Sequence, residues 1–382
     1  MKQTDKIIIF TTENRTWGGS ELLWSATART LTQYCNVHVL VYEDLNLPKW
    51  LMDYVDINLH RIEVPKLSRL KKIANRFLPY KFRFKPKDRR AEIIKTLSAD
   101  LLIINQGYNF NGVRLMAYAK SQQINYVTIS QAVNEAFWPN LKLREEMQLG
   151  FKGSLKNYFV SKDNLEVTQS QLGVYLKNSE VLINSFNVPY SNIIEYPKHN
   201  AYHLACVGRF DFSAKGQDVL LRVLSQEKWK NRNLIVNFYG SGKDIENLKD
   251  LMLLYDIKNA VLYNYTETIE IWKHNQGLVL ASRYEGLPIA LVEAMLCGRL
   301  AVVTNVSGNA ELMIDNKTGF IASGPRPEYV DEALERAWDR RDQWEQIGKV
   351  ARNFIITKVP EQPEVIFADK LMSLINKDQN VS

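Results

Sequence analysis

The chain predicts an α/β protein made of two doubly wound, Rossmann-like parallel-sheet domains facing a central cleft, and three observations lead there. Short apolar runs alternate with amphipathic helical stretches along most of the sequence. The alternation breaks at residues 191–200 (SNIIEYPKHN), where a proline and polar residues read as a connector, and then restarts. The length, 382 residues, suggests two domains. In such an architecture ligands bind at the C-terminal ends of the strands, and the space between two such domains is the natural active site.

The first domain, residues 1–192, opens with a strand at residues 7–10 (IIIF), a loop and a helix over 21–34. Further strands are expected at 37–42, 100–105, 126–130, 158–161 and 181–184. Gly18 and Gly19 stand where the first strand hands over to the first helix. A glycine pair lets backbone come close to a ligand, and a tight turn explains it equally well. The second domain, residues 200–350, repeats the build. Strands are expected at 202–208, 234–239, 260–263, 277–281 and 300–304, with helices at 217–226, 245–254 and 289–296. The last stretch reads as helical, interrupted by Pro360 and Pro363.

Three scattered cysteines, Cys35, Cys206 and Cys297, have no metal-ligand spacing and read as buried free thiols in a reducing compartment. No leader precedes the first strand and no apolar run approaches bilayer-spanning length, so a cytoplasmic protein is expected. The net charge of +7 is unevenly spread. The segment from Lys66 to Arg90 holds eleven Lys/Arg and one acid, Asp88; it carries +10, leaving −3 for the rest of the chain. Its cations are interleaved with Leu67, Leu70, Ile73, Phe77, Leu78, Tyr80, Phe82 and Phe84. An anionic membrane surface is the candidate partner, a solvated basic loop fits too, and no nucleic-acid-binding fold is evident.

The most informative stretch is SRYEGLPIALVEAMLCG, residues 282–298. It reads as a loop turning into a helix, with Pro288 suited to the first helical position and Gly298 stopping it. A helix N-terminus favours an anion such as phosphate. Glu285 in the loop and Glu293 inside the helix would flank that anion, and two carboxylates there need hydroxyl-rich partners: a sugar ring for Glu285, a ribose diol for Glu293. On spacing alone, a solvated loop glutamate and an exposed helix glutamate fit as well. Three more strand-end loops accompany this stretch. VGRFDFSAKG places Arg209 and Lys215 six apart, able to converge on one diphosphate. YGSGK offers Gly240 as a close approach to a nucleotide, and NVSGNAELM places Glu311 at an expected helix start.

In this order, VGR…KG, YGSG, SRYEGLP…VEAM…G and GNAELM…TGF, the chain resembles the retaining GT-B glycosyltransferases of family 4, specifically across residues 202–322 and more loosely through GGSE and residues 160–189. The resemblance implies a nucleotide-sugar donor held by the second domain and a glycan acceptor, lipid-linked, held by the first. Arg209 and Lys215 would bind the diphosphate and Glu293 the ribose. Glu285 would contact the donor sugar, and the N–H groups of Gly286 and Leu287 would complete the site. Gly18 and Gly19 would let the first domain close over the phosphates. A helix within residues 351–376 would cross back onto the first domain. No Asp-X-Asp motif occurs, so a metal-independent enzyme without cofactor is expected. The chain departs from many relatives in lacking a histidine in YVTISQAVNEAFW; the candidate acceptor-facing residues there are Ser130, Gln131, Asn134 and Glu135. A nucleotide-sugar epimerase and a non-catalytic sugar-nucleotide-binding protein are the alternatives.

Overall fold

The computed structural model of the chain describes residues 5–78 and 88–377. The strands of the first domain are β1 (Ile7–Thr12), β2 (Asn36–Tyr42), β3 (Ile57–Ile62), β4 (Leu101–Tyr108), β5 (Tyr126–Ala132), β6 (Lys156–Phe159) and β7 (Ser179–Val181), the last ending at Val181, where the strand over 181–184 was expected to begin. They form one parallel sheet in the order β3-β2-β1-β4-β5-β6-β7. The central strands are apolar on both faces because helices cover both. These are α1 (Gly19–Leu31), α2 (Lys49–Met52), α3 (Arg69–Phe77), α4 (Arg90–Leu97), α5 (Val113–Ser121), α6 (Leu141–Gly153) and α7 (Lys162–Leu172). The sequence pattern passed over β3. It is an edge strand, only its two ends are buried, and Asn58, His60 and Arg61 dilute its apolar signal.

The second sheet contains β8 (Tyr202–Val207), β9 (Leu234–Tyr239), β10 (Ala260–Tyr263), β11 (Gly277–Leu280), β12 (Leu300–Thr304) and β13 (Phe320–Ala322), all parallel, in the order β10-β9-β8-β11-β12-β13. Its helices are α8 (Phe212–Lys215), α9 (Gln217–Leu224), α10 (Glu227–Lys230), α11 (Ile245–Leu254), α12 (Thr268–His274), α13 (Ile289–Leu296), α14 (Pro327–Asp339) and α15 (Trp344–Ile355), and α16 (Pro363–Lys377) follows them in the chain. Winding reverses between β1 and β4 in one sheet and between β8 and β11 in the other. At those reversals the outgoing helices diverge and leave a crevice.

The end of the chain differs in detail from expectation. Ala351 and Ile355 belong to α15, which packs on α13 and β12 of the second domain. The return crossing is made by α16 alone. Its Phe367, Ala368, Leu371, Met372 and Ile375 are buried among Ile8, Leu23, Ala28, Leu31 and Val39 of the first domain. Burying each of the larger of these side chains stabilises by about 1.5–3 kcal/mol. Pro363 does not interrupt that helix but opens it, at a position where the missing N–H costs no hydrogen bond. All three cysteines are buried and free. Among the described residues, no helix is long and apolar enough to cross a membrane.

Candidate active site

The loop between β11 and α13 lies at the winding reversal of the second sheet, and residues 285–288 are all buried. Pro288 is the N-cap of α13 and not its first helical residue. Glu285, 5% exposed, is held from several sides. Lys215 Nζ donates to both of its carboxylate oxygens, at 2.7 and 2.6 Å. Ser282 Oγ donates to one of them at 2.7 Å, and the Glu285 N–H donates to Ser307 Oγ. Lys215 reaches this point because Gly216 follows it at φ +62°, and a Cβ at Gly216 would sit 2.0 Å from the Ala281 carbonyl oxygen. Only glycine lets these two strand-end loops touch. Arg283 fixes the other side of the loop with a bidentate pair to Asp218 of α9. A solvated Glu285 is therefore ruled out.

Glu293 is likewise no exposed helix residue: it is 4% exposed, and its carboxylate accepts the Asn187 N–H at 2.9 Å. Burial pushes its carboxyl up to about 7, against which the Asn187 hydrogen bonds pull only weakly. Arg209 is exposed, and its guanidinium makes no hydrogen bond or ion pair with the described residues; it stands two residues beyond the end of β8. Among the described residues the N–H groups of Gly286 and Leu287 also find no acceptor. Lys215 and Glu285 thus meet at one strand-end corner, beside the unused N–H donors of Gly286 and Leu287, while Arg209 stands past the end of β8 and Glu293 lies in the second turn of α13. Gly240 has φ +148°, and a Cβ there would meet the Gly208 carbonyl oxygen at 2.1 Å, so packing between the ends of β8 and β9 accounts for it.

The strand ends of the two domains meet. A Cβ on Gly286 would lie 1.8 Å from the Gln131 carbonyl oxygen, near the C-terminal end of β5 in the other sheet. Tyr284 Oη and Tyr108 Oη are 2.8 Å apart across the same boundary. A Cβ on Gly19 would meet Ile289 Cδ1 at 2.5 Å, whereas Gly18 faces open space. Glu311 does not start a helix. It follows a 3-10 turn, Ser307–Asn309, and its carboxylate accepts the N–H groups of Lys162 and Asp163, capping α7 of the opposite domain.

Of the residues expected to face an acceptor, Ser130 and Gln131 are buried and bonded inside the first domain. Gln131 belongs to a chain of side chains, Glu21–Asn105–Gln131–Asn184, that runs along the ends of the first sheet. Burial raises the Glu21 carboxyl above its ordinary value, although Asn14, Trp24 and Ser20 hydrogen-bond it. Asn134 is half-buried and Glu135 exposed. Sequence reasoning missed an aromatic row beside them. Tyr108 stacks on Phe110 at 5.7 Å, Phe110 meets Phe137 at 4.4 Å, and Trp138 is exposed next to it. Gln171 of α7 ties the loop of Phe137 to that of Phe110 through Asn109. The signal was present in YNF and AFW, aromatic clusters placed just after strands. Among the described residues, no group of three or more His, Cys, Asp or Glu gathers as a metal-binding set.

Residues 194–354 match the family model described as "Glycosyl transferases group 1". An uncharacterized glycosyltransferase of Haemophilus influenzae is 30% identical over 146 residues, which span 37% of this chain and 41% of that protein. The chain thus matches well under two thirds of that relative's length. Among solved structures, Anabaena Alr3699/HepE in complex with UDP superposes with a TM-score of 0.74 at 16% identity, covering 96% of this chain and all of that one. The same protein in complex with UDP-glucose gives 0.73 at 15% identity, covering 96% and 99%. The apo form of the lipopolysaccharide outer core galactosyltransferase WaaB gives 0.65 at 16% identity, covering 96% and 99%. These likenesses establish the GT-B fold for the whole chain.

Proposed function

We propose that the chain is a GT-B glycosyltransferase that moves a hexose or N-acetylhexosamine from a nucleotide-diphosphate sugar to a lipid-linked glycan acceptor, with retention of configuration. The observation that carries this reading is the contact of Lys215 with Glu285 at the winding reversal of the second sheet, beneath the strand ends of the first. The family match of residues 194–354 supports the transferase assignment, and the neighbours crystallised with UDP and UDP-glucose support a nucleotide-sugar donor. The galactosyltransferase named for lipopolysaccharide supports a glycan acceptor. Retention rests on the motif resemblance.

In this reading the bond from the anomeric carbon to the diphosphate oxygen breaks while the acceptor hydroxyl oxygen bonds to that carbon, and the hydroxyl proton passes to the departing diphosphate oxygen. The leaving diphosphate gains charge, and stabilising it is the main catalytic task. Arg209, Lys215 and the N–H groups of Gly286 and Leu287 supply that stabilisation without a metal. Glu285 holds hydroxyls of the donor sugar near the reacting carbon, and Glu293 the ribose diol. Gly18 and Gly19 close the first domain over the phosphates, and Gly240 lies beside the nucleotide. The acceptor enters along the aromatic row of Tyr108, Phe110 and Phe137. The place of action is the cytoplasmic side.

The test is incubation of the protein with UDP-sugars and glycan acceptors, read by mass spectrometry for glycosyl transfer. Transfer that disappears in Glu285→Ala, with UDP binding retained, supports the reading. Acceptor-independent interconversion of the donor sugar, or UDP-sugar binding with no turnover on any acceptor, would refute it.

A further inference from the structure

The connection between β3 and α4 leaves the first sheet at the C-terminal end of its edge strand, and both of its ends are pinned there. Glu63, one residue after β3, pairs with Arg89 at 3.5 Å. Arg90, buried, pairs with Glu13 at 2.7 Å and Asp88 at 2.6 Å, and its guanidinium lies over the Tyr42 ring. Glu13 and Tyr42 follow or end β1 and β2, so this anchor sits on the C-terminal rim of the sheet. Between the anchors the described part is α3, capped by Ser68 Oγ; residues 79–87 of the basic segment lie outside the described residues.

None of the residues of α3 is buried. Leu70, Ile73 and Phe77, spaced three and four apart, form one stripe and are 80%, 46% and 82% exposed. Arg69, Lys72 and Arg76 repeat the same spacing one residue earlier and form an exposed cationic stripe beside it. The segment from Lys66 to Arg90 has a single acid, Asp88, and the Arg90 guanidinium engages it. An apolar stripe bordered by cations matches a surface that is hydrocarbon beneath and anionic above. A nucleic-acid backbone would use the cations but leave the apolar stripe in water.

We infer that α3 docks the chain on an anionic lipid bilayer, Leu70, Ile73 and Phe77 entering the interface and Arg69, Lys72 and Arg76 meeting the headgroups. Because the insert is pinned to the rim that faces the second domain, docking presents the cleft side of the first sheet to the membrane. The inference goes beyond the transferase reading and stands or falls independently of it.

The experiment is flotation of the full chain with phosphatidylcholine vesicles, with and without phosphatidylglycerol. The chain should float with the anionic vesicles only, and added salt should weaken the binding. Leu70→Ser/Phe77→Ser and, separately, Arg69→Gln/Lys72→Gln/Arg76→Gln should each lower partitioning by about tenfold or more. UDP binding and the melting temperature serve as controls, since the substituted side chains of α3 are all exposed. Equal flotation with neutral vesicles, or unchanged partitioning of both variants, overturns the inference. So does duplex DNA binding that the Leu70→Ser/Phe77→Ser variant retains while the parent ignores vesicles. Vesicle binding without any transferase activity would leave the interface standing and remove only the transferase reading.

Discussion

Lys215 places its ammonium within 2.7 Å of both carboxylate oxygens of Glu285. The cation expected to grip a diphosphate therefore already has an anionic partner, and an incoming phosphate competes with that carboxylate for it. Glu285→Ala removes the competitor, so UDP affinity should hold or rise while transfer falls by about a hundredfold or more. Lys215→Ala removes the cation and strands a buried carboxylate. It should weaken UDP binding and cost about 3 kcal/mol of stability. Titration calorimetry with UDP and urea unfolding of both variants check this. Equal losses of UDP affinity in the two would contradict it.

At Gly286 the backbones of the two domains come close together. A methyl group there would lie 1.8 Å from the Gln131 carbonyl oxygen, and that atom is backbone in a paired strand, unable to step aside. Gly286→Ala is accommodated only by parting the domains. Each domain should keep its own core, so circular dichroism should be unchanged, while small-angle scattering shows a larger radius of gyration. Transfer should fall by more than UDP binding does. A variant of unchanged dimensions and activity would show that the contact is dispensable.

Much of this architecture was legible in advance. The strands at 234–239 and 260–263, the helix at 245–254 and the helix after Pro288 are local patterns, and the structure has them at those positions. What escaped depends on contacts between distant residues. Edge strand β3 and short β13 carry weak periodicity, and the pairing of β2 and β12 with them makes them strands. Glu311 has the look of a first-turn acid, yet the helix it caps belongs to the other domain. The spacing of Arg209 and Lys215 suggested convergence on one anion; the contact of Lys215 with a carboxylate seventy residues away could not be read from spacing.

Glu311 offers a second handle on domain closure. Its two oxygens accept the N–H groups of Lys162 and Asp163, at 3.1 and 2.8 Å, where α7 presents its positive end. Glu311→Ala should cost about 0.5–2 kcal/mol, the range for a lost cap. Because the cap joins two domains, the loss should show as earlier separation of the domains, not as melting of α7. A double-mutant cycle with Tyr284→Phe, which deletes the hydroxyl contact to Tyr108, should show coupling of a few tenths of a kcal/mol or more if both hold one closed state. Strict additivity would place them in independent equilibria.

Glu293 predicts a pH dependence whose sign can be worked out. Burial raises its folded carboxyl from an ordinary 4.5 to about 7. Between those values the folded chain holds a proton that the unfolded chain has released, so unfolding free energy falls as pH rises through that window. Below it both states are protonated and above it both are ionised, so the contribution is flat on either side. The gap corresponds to about 3 kcal/mol, undiminished by solvent because the side chain is almost fully buried. Glu293→Gln cannot ionise and should lose this slope. Glu13 and Glu21 are also raised by burial and add slopes of the same sign, but they are present in both proteins and cancel in the difference. Urea unfolding of parent and variant at about pH 5 and about pH 8 therefore isolates the residue. The variant should gain relative stability at the higher pH, and parallel profiles would mean that Glu293 is ionised throughout. If the carboxylate also grips the ribose, UDP binding by the parent should release a proton and tighten as pH rises toward 8, while the variant binds more weakly and without that dependence.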